Sequence, residues 1–387
     1  MQWSNRAMLR LLIENTSDRE GKKMDFTITR FGDFAVFKYG KMPKKSEIKE
    51  NGKYPIYSGY RYVGYYDDYN TEANQLIIVA RGVGGTGDVK LTKERCYLTN
   101  LSISAQIDES VVLPQYLYYY FSLRNLRYLD SGSAQSQITI SDLEKVEIPH
   151  PNIESQMRIV DCLSMLDYKI RTNEMINNNL EQQAQAIYQQ MFVDNPSPEW
   201  KEGTLSDIAD ITMGQSPSGS SYNEESNGTI FFQGRAEFGF RFPTVRLFTT
   251  EPKRMACAND TLVSVRAPVG DLNVAHTDCC IGRGLAAIHS KTNHQSFVLY
   301  TMFSLKKQLD VFNGEGTVFG SINRNSLNEM PILIPSDEKL DEFEGIVAPM
   351  DTAIRNNYDE ICYLEQIRDS LLPKLMSGEL DVSNIDL

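Results

Sequence analysis

Residues 138–182 read ITISDLEKVEIPHPNIESQMRIVDCLSMLDYKIRTNEMINNNLEQ, and residues 322–366 read INRNSLNEMPILIPSDEKLDEFEGIVAPMDTAIRNNYDEICYLEQ. Slid by 184 positions without a gap, Ile138/Ile322, Leu143/Leu327, Ile148/Ile332, Pro151/Pro335, Asp167/Asp351, Ile170/Ile354, Arg171/Arg355, Asn173/Asn357, Leu180/Leu364, Glu181/Glu365 and Gln182/Gln366 coincide. An ungapped match of this length is a duplication, and a duplication decides the architecture before any local reading does. Each copy opens with a short β-like segment closed by a proline and continues as a helical pattern. In the first, Ile159, Leu163, Leu166, Ile170, Asn173, Asn177, Leu180 and Ala184 recur at steps of 4 and 3. In the second, Phe343, Val347, Met350, Ile354, Asn357, Ile361 and Leu364 keep the frame. A heptad seam sustained this long predicts two helices paired as a coiled coil. The alternative is two amphipathic helices, each packed on its own module.

Asn173 and Asn357 stand at the same register of the two seams, where apolar residues are expected. If the helices pair antiparallel about a pseudo-two-fold axis at their midpoints, these two amides face and hydrogen-bond each other. A matched buried pair costs less than a lone buried amide and favours one register.

Working outward, weaker repeats flank the helices. FGDFAVFKYGKMP, ending at Pro43, matches LSDIADITMGQSP, ending at Pro217, and pairs Ala35/Ala209 and Gly40/Gly214. NQLIIVARGVGG from Asn74 matches DTLVSVRAPVG from Asp260, pairing Arg81 with Arg266 and Gly85 with Gly270. Both read as a buried β-branched strand closed by a turn. YLYYYFSL and VLYTMFSL follow as short helices, with Tyr118 matched to Tyr300. The expected segments are an N-terminal extension 1–23, a globular module 24–152, a helix 153–195, a second module 196–335, a second helix 336–378 and a tail 379–387. The extension, with a short helical pattern from Ala7 to Glu14, is expected to be dispensable. Pro349 stands where the first copy has Met165, which predicts a broken start to the second helix, and Pro373 predicts a kink near its end. Gly378 fits the position just past a helix C-terminus.

The formal charge is −12, of which residues 151–199 carry −4 and residues 336–387 carry −9. The acidity thus belongs to the helices, whose faces would repel phosphates and suit protein partners or solvent. The modules are near neutral with basic runs. Six dispersed cysteines without a CxxC pair read as reduced, cytoplasmic thiols. The sequence contains no secretory signal pattern, no stretch of membrane-spanning length, no P-loop, HExxH, GxSxG or methyltransferase motif, and only four histidines. No catalytic residue, metal site or cofactor is expected.

The modules do interleave basic residues with aromatics. Lys38, Lys41, Lys44 and Lys45 lead into YPIYSGYRYVGYY, which contains Arg61, and Arg81 closes the buried strand. In the second module Gln233, Arg235, Arg241 and Arg246 lie within FFQGRAEFGFRFPTVRLF, followed by Lys253, Arg254 and Arg266. Arginine and glutamine pair bidentately with guanine and adenine edges, whereas lysine serves phosphates. These residues are the candidate DNA contacts.

The module–helix–module–helix order, the pattern IxxxDLxxxxIPxP…Q…I…LxxLDxxI at 138–170 and the ending RDSLLPKLMSGEL at 368–380 resemble the specificity subunits of type I DNA restriction–modification systems. The resemblance covers residues 26–387. It implies an α+β chain of two mixed α/β target-recognition domains, joined by two long antiparallel helices with a pseudo-two-fold repeat. It also implies that each domain reads one half of a bipartite, asymmetric site in double-stranded DNA. It implies further that the helices set the spacer and bind two copies of an S-adenosylmethionine-dependent methyltransferase (modification) subunit. By the same resemblance a restriction/translocase subunit would complete the complex, and the chain is expected to have no catalysis of its own. A helix over residues 154–192 is roughly 58 Å long at about 1.5 Å per residue, enough to hold two modules over major grooves about 34 Å or more apart. The competing readings are a stand-alone tandem DNA-binding scaffold, such as an anti-restriction or regulatory protein, and a fused methyltransferase, against which the missing motifs argue.

Overall fold

A computed structural model of the chain describes residues 24–59, 61–82, 85–130, 137–314 and 320–381. The expected extension 1–23, residues 60, 83–84, 131–136 and 315–319, and most of the expected tail lie outside the described residues. The chain forms two units: residues up to Arg171 together with Ile361 onward, and Thr172–Glu360. Each unit therefore combines one module with part of both long helices, so the units cross the linear segment boundaries.

In the first unit a four-stranded antiparallel sheet has the order β2 (Ala35–Tyr39), β8 (Ser102–Ile107), β5 (Leu76–Val79), β6 (Val89–Leu91). All four residues of β5, LIIV, are buried, as a strand covered on both faces requires. Leu76 and Ile78 face a core that contains Tyr116, Leu117, Tyr120 and Phe121 of helix α1 (Pro114–Leu123). Ile77 faces the other way, toward Cys96, Leu98 and Tyr57 of a three-stranded sheet. That sheet is ordered β4 (Arg61–Tyr66), β3 (Tyr54–Ser58), β7 (Tyr97–Leu98). A pair of strands, β1 (Thr27–Arg30) and β9 (Glu147–His150), closes the module just before helix α2 (Ile153–Tyr188).

The second unit repeats the plan. Its four-stranded sheet is β11 (Ala209–Met213), β19 (Leu285–Ser290), β16 (Thr261–Ser264), β17 (Leu272–Val274). Its second sheet is larger: β12 (Tyr222–Asn223), β14 (Leu247–Thr249), β13 (Thr229–Phe232), β18 (Cys279–Ile281), β15 (Met255–Ala256). The closing pair is β10 (Lys201–Thr204) with β20 (Pro331–Ile334), and α3 (Gln295–Ser304) takes the place of α1. Adjacent Cys279 and Cys280 are buried and unbonded on β18.

In the first unit Leu166 and Ile170 of α2 share one core with Leu364, Ile367 and Leu371 of helix α4 (Asp337–Ser377). In the second, Ala184 and Tyr188 share a core with Phe343, Val347 and Ile354, flanked by Leu180 and Met350. The helices run antiparallel: Arg368 meets Asp167 at 3.1 Å in the first unit, and Asn357 meets Asn177 at 2.8 Å in the second.

Two expectations do not hold. Asn173 and Asn357 do not bond each other. The Asn357 Nδ2 donates to Asn177 Oδ1, the Asn177 Nδ2 donates to the Ile354 carbonyl at 3.3 Å, and the Asn173 Nδ2 donates to Glu360 at 2.8 Å. The bonded pair is separated by 180 positions and the duplication by 184. Equivalent positions would therefore meet near Met175 and Asp359, two residues further along α2 than Asn173. Nor is the second helix broken at its start. It is continuous through Pro349 and on through Pro373 to Ser377, with Gly345 at the position whose carbonyl the Pro349 ring would press. Gly378, at φ +72°, ends it, and the Leu380 N–H reaches back to the Lys374 carbonyl at 3.1 Å.

Candidate nucleic-acid interface

Each module is fastened to its helix by a tyrosine and a duplicated aspartate. In the first unit the Tyr119 hydroxyl donates to Asp167 at 2.7 Å, and in the second the Tyr300 hydroxyl donates to Asp351 at 2.9 Å. The structural match of the short helices is therefore Tyr119 with Tyr300, one residue away from the alignment read from sequence. Both anchors carry an arginine, from different sources. Asp167 takes Arg368 of α4, whereas Asp351 takes Arg241 from the loop after β13. The α1 and α3 N-termini are also held differently. Buried Gln156 accepts from the Leu113 N–H at 2.9 Å, and Glu344 accepts from the Phe297 N–H at 3.0 Å. Leu340 stands at the position of Gln156 in the second copy.

This anchor removes one candidate DNA contact. Arg241 is 3% exposed; its guanidinium bonds Tyr300 and Asp351 at 3.1 Å each and lies 3.0 Å from Glu181. The Glu181 contact is a charge pair off hydrogen-bonding alignment, since Glu181 Oε1 has no bonded donor. Burial pushes the Glu181 carboxyl above its ordinary value, and Arg241 only partly offsets this. A guanidinium committed to two carboxylates inside the fold cannot reach a duplex.

The other candidates lie at the surface, in two chemical states. Lys44 pairs with Glu47 at 3.0 Å, Arg235 pairs with Asp271, and Arg246 pairs with Glu237 at 2.9 Å and Glu224 at 3.8 Å. Glu47 is further held by the Tyr66 hydroxyl, which keeps it below its usual value and pushes Tyr66 up to about 12. The Lys44 and Arg235 pairs are open to solvent and contribute little, so a phosphate can displace the carboxylate; Glu237, by contrast, is a buried carboxylate that holds Arg246 from inside the module. Lys38, Lys41, Lys45, Lys253 and Arg254 are exposed with no carboxylate partner among the described residues, and Arg61 is exposed at the start of β4. Arg81 and Arg266 occupy one structural position in the two modules. Each forms an isolated antiparallel bridge, Arg81 with Gln137 and Arg266 with Ser321. Sequence reading passes over Arg283, an exposed arginine between Gly282 and Gly284 in the β18–β19 turn. Its signal was that glycine-flanked setting rather than a basic run. Among the described residues no cluster of side chains could hold a metal ion, and no helix is long and apolar enough to cross a membrane.

Two modules of one plan on paired helices, with basic and amide side chains on their turns, define a duplicated scaffold with unlike loops. The model of the type I restriction modification DNA specificity domain matches twice, at residues 23–182 and 198–357. The chain therefore belongs to the family of type I restriction–modification specificity subunits. It is 30% identical over 298 residues to the type I restriction enzyme MjaX specificity subunit of Methanocaldococcus jannaschii, covering 71% of this chain and 70% of that one. To the MjaIX specificity subunit of the same organism it is 24% identical over 318 residues, 74% of each chain. The crystal structure of a type I restriction-modification S subunit from M. genitalium shares the fold, with a TM-score of 0.70 at 19% identity over 92% of this chain and 98% of that one. As a specificity subunit, the chain is a non-catalytic component with two target-recognition domains.

Proposed function

We propose that each module reads one half of a bipartite, asymmetric site in double-stranded DNA, while the two helices set the length of the unread spacer. On this reading the acidic outer faces of the helices bind two copies of a methyltransferase subunit, a restriction subunit joins that assembly, and the complex works in the cytoplasm. One observation carries the reading: a single backbone plan is present twice, with different side chains on corresponding turns. A repeated scaffold with unlike loops suits a reader of two unlike half-sites. The acid concentrated in residues 151–199 and 336–387 supports a protein partner there rather than phosphate.

The test is methylome sequencing of cells expressing the chain with its neighbouring methyltransferase gene, beside the purified chain alone. The expected result is one split adenine-methylated motif from the pair, and neither methyl transfer nor cleavage from the single chain. Methylation at one continuous site, or methyl transfer by the chain alone, overturns the proposal.

A further inference from the structure

One corner of each module is built by the same backbone hydrogen bonds and presents different side chains. In the second module the Gly214 N–H donates to the Leu285 carbonyl at 2.9 Å and the Gln215 N–H to Ile281 at 3.0 Å. The Gly282 N–H donates to Phe232 at 2.8 Å and the Val265 N–H to Gly284 at 2.9 Å. In the first module the Gly40 N–H donates to Ser102 at 3.0 Å and the Lys41 N–H to Leu98 at 2.9 Å. The Thr99 N–H donates to Tyr57 at 3.0 Å and the Ala80 N–H to Leu101 at 2.9 Å. The two sets agree bond for bond. Gly40 and Gly214 are glycines for the same reason: a Cβ at either would collide with the carbonyls of the neighbouring turn.

This match places four positions in correspondence. Gln215, Gln233, Arg266 and Arg283 of the second module stand where the first has Lys41, Ser58, Arg81 and Asn100. Gln215, Gln233, Arg266 and Arg283 are all exposed. The side chains of Gln215, Gln233 and Arg283 engage no partner among the described residues. Arg266 Nε donates to the Arg283 carbonyl at 3.4 Å, and the Gly284 N–H bonds the Gln233 carbonyl at 3.2 Å, so these hydrogen bonds bring three separate segments, after β13, after β16 and between β18 and β19, to one corner. Elsewhere in this module Arg235, Arg241 and Arg246 are all occupied by carboxylates.

Resting on the DNA-reading function proposed above, we infer that this corner is the base-reading site of each module. Glutamine and arginine are the side chains that take adenine and guanine edges bidentately in the major groove, and here they converge at one corner from different loops. The three positions that differ between modules distinguish the half-sites. The arginine common to both, Arg81 and Arg266, serves what both halves share, the phosphate backbone.

The test uses the full chain assembled with its methyltransferase and reads the methylated motif. Replacing the second module's set with the first's (Gln215→Lys, Gln233→Ser, Arg283→Asn) should change or relax bases in one half-site only, with discrimination falling about tenfold or more. Arg283→Lys, which keeps the charge and loses the fork, should relax the same bases. Lys307→Ala, at an exposed position outside this corner and outside the candidate contacts, should leave the motif intact. If the wild-type complex gives a split motif and the Arg283 variants leave it unchanged, or lower methylation uniformly, the inference fails while the DNA-reading function stands. If the wild type gives no split motif, that function fails first. Arg283→Lys alone, at an exposed position, covers the case in which the triple variant does not fold, which a thermal melt reveals.

Discussion

Arg241 and Arg235 lie six residues apart in one basic-aromatic run, yet one is sealed in the fold and the other is at the surface. Nothing in FFQGRAEFGFRFPTVRLF separates them, because the carboxylates that bury Arg241 come from Glu181 and Asp351, far away in sequence. The energetic consequence is large. Removing one partner of a buried ionic group costs about 3–5 kcal/mol because the remaining charges stay desolvated. Arg241→Met should therefore lower the stability of the second unit by about that amount, measured by urea unfolding of the full chain. Lys253→Met, exposed and without a carboxylate partner among the described residues, should leave it nearly unchanged. Equal losses from both variants would contradict the buried anchor.

At the scale of the helices, the seam was legible and its register was not. Heptad spacing marks Leu166, Ile170, Ile354 and Leu364 as inward, and they are. It does not say which residues oppose each other, since sliding one helix by a heptad preserves the pattern. The observed register joins Asn357 to Asn177, both on the seam but at non-equivalent positions of the two copies. Asn177→Leu should strand the Asn357 amide and cost about 1–3 kcal/mol. The double change with Asn357→Leu should recover much of the loss. Thermal melts of the four proteins in this cycle measure the coupling; additive losses would remove the pair from any role in register.

For the whole molecule, the duplication and the helix length bear on how far apart two half-sites can lie. Inserting one heptad into each helix at the paired positions near Asn177 and Asn357 keeps the seam in phase. It adds about 10 Å of rod at about 1.5 Å per residue, or about three base pairs. On the proposed function the methylated motif should gain about three unread base pairs and keep both half-sites. An unchanged spacer in a complex that still assembles would show that the rods do not set the distance.

The sequence by itself determined the repeat, the alternation of module and helix, the seam residues and the family, because each of these is written in local spacing or in an ungapped self-match. Tertiary structure decided everything that depends on which distant residues meet. It showed that each compact unit takes part of both helices, that Tyr119 rather than Tyr118 corresponds to Tyr300, and that Pro349 lies within a continuous helix. It also buried Arg241 and brought Arg283, isolated between two glycines, to the same corner as Gln233. The physical reason is common to all of these. Periodicity reports the face a residue turns inward, but a partner at about 3 Å is set by long-range packing, and no local pattern records it.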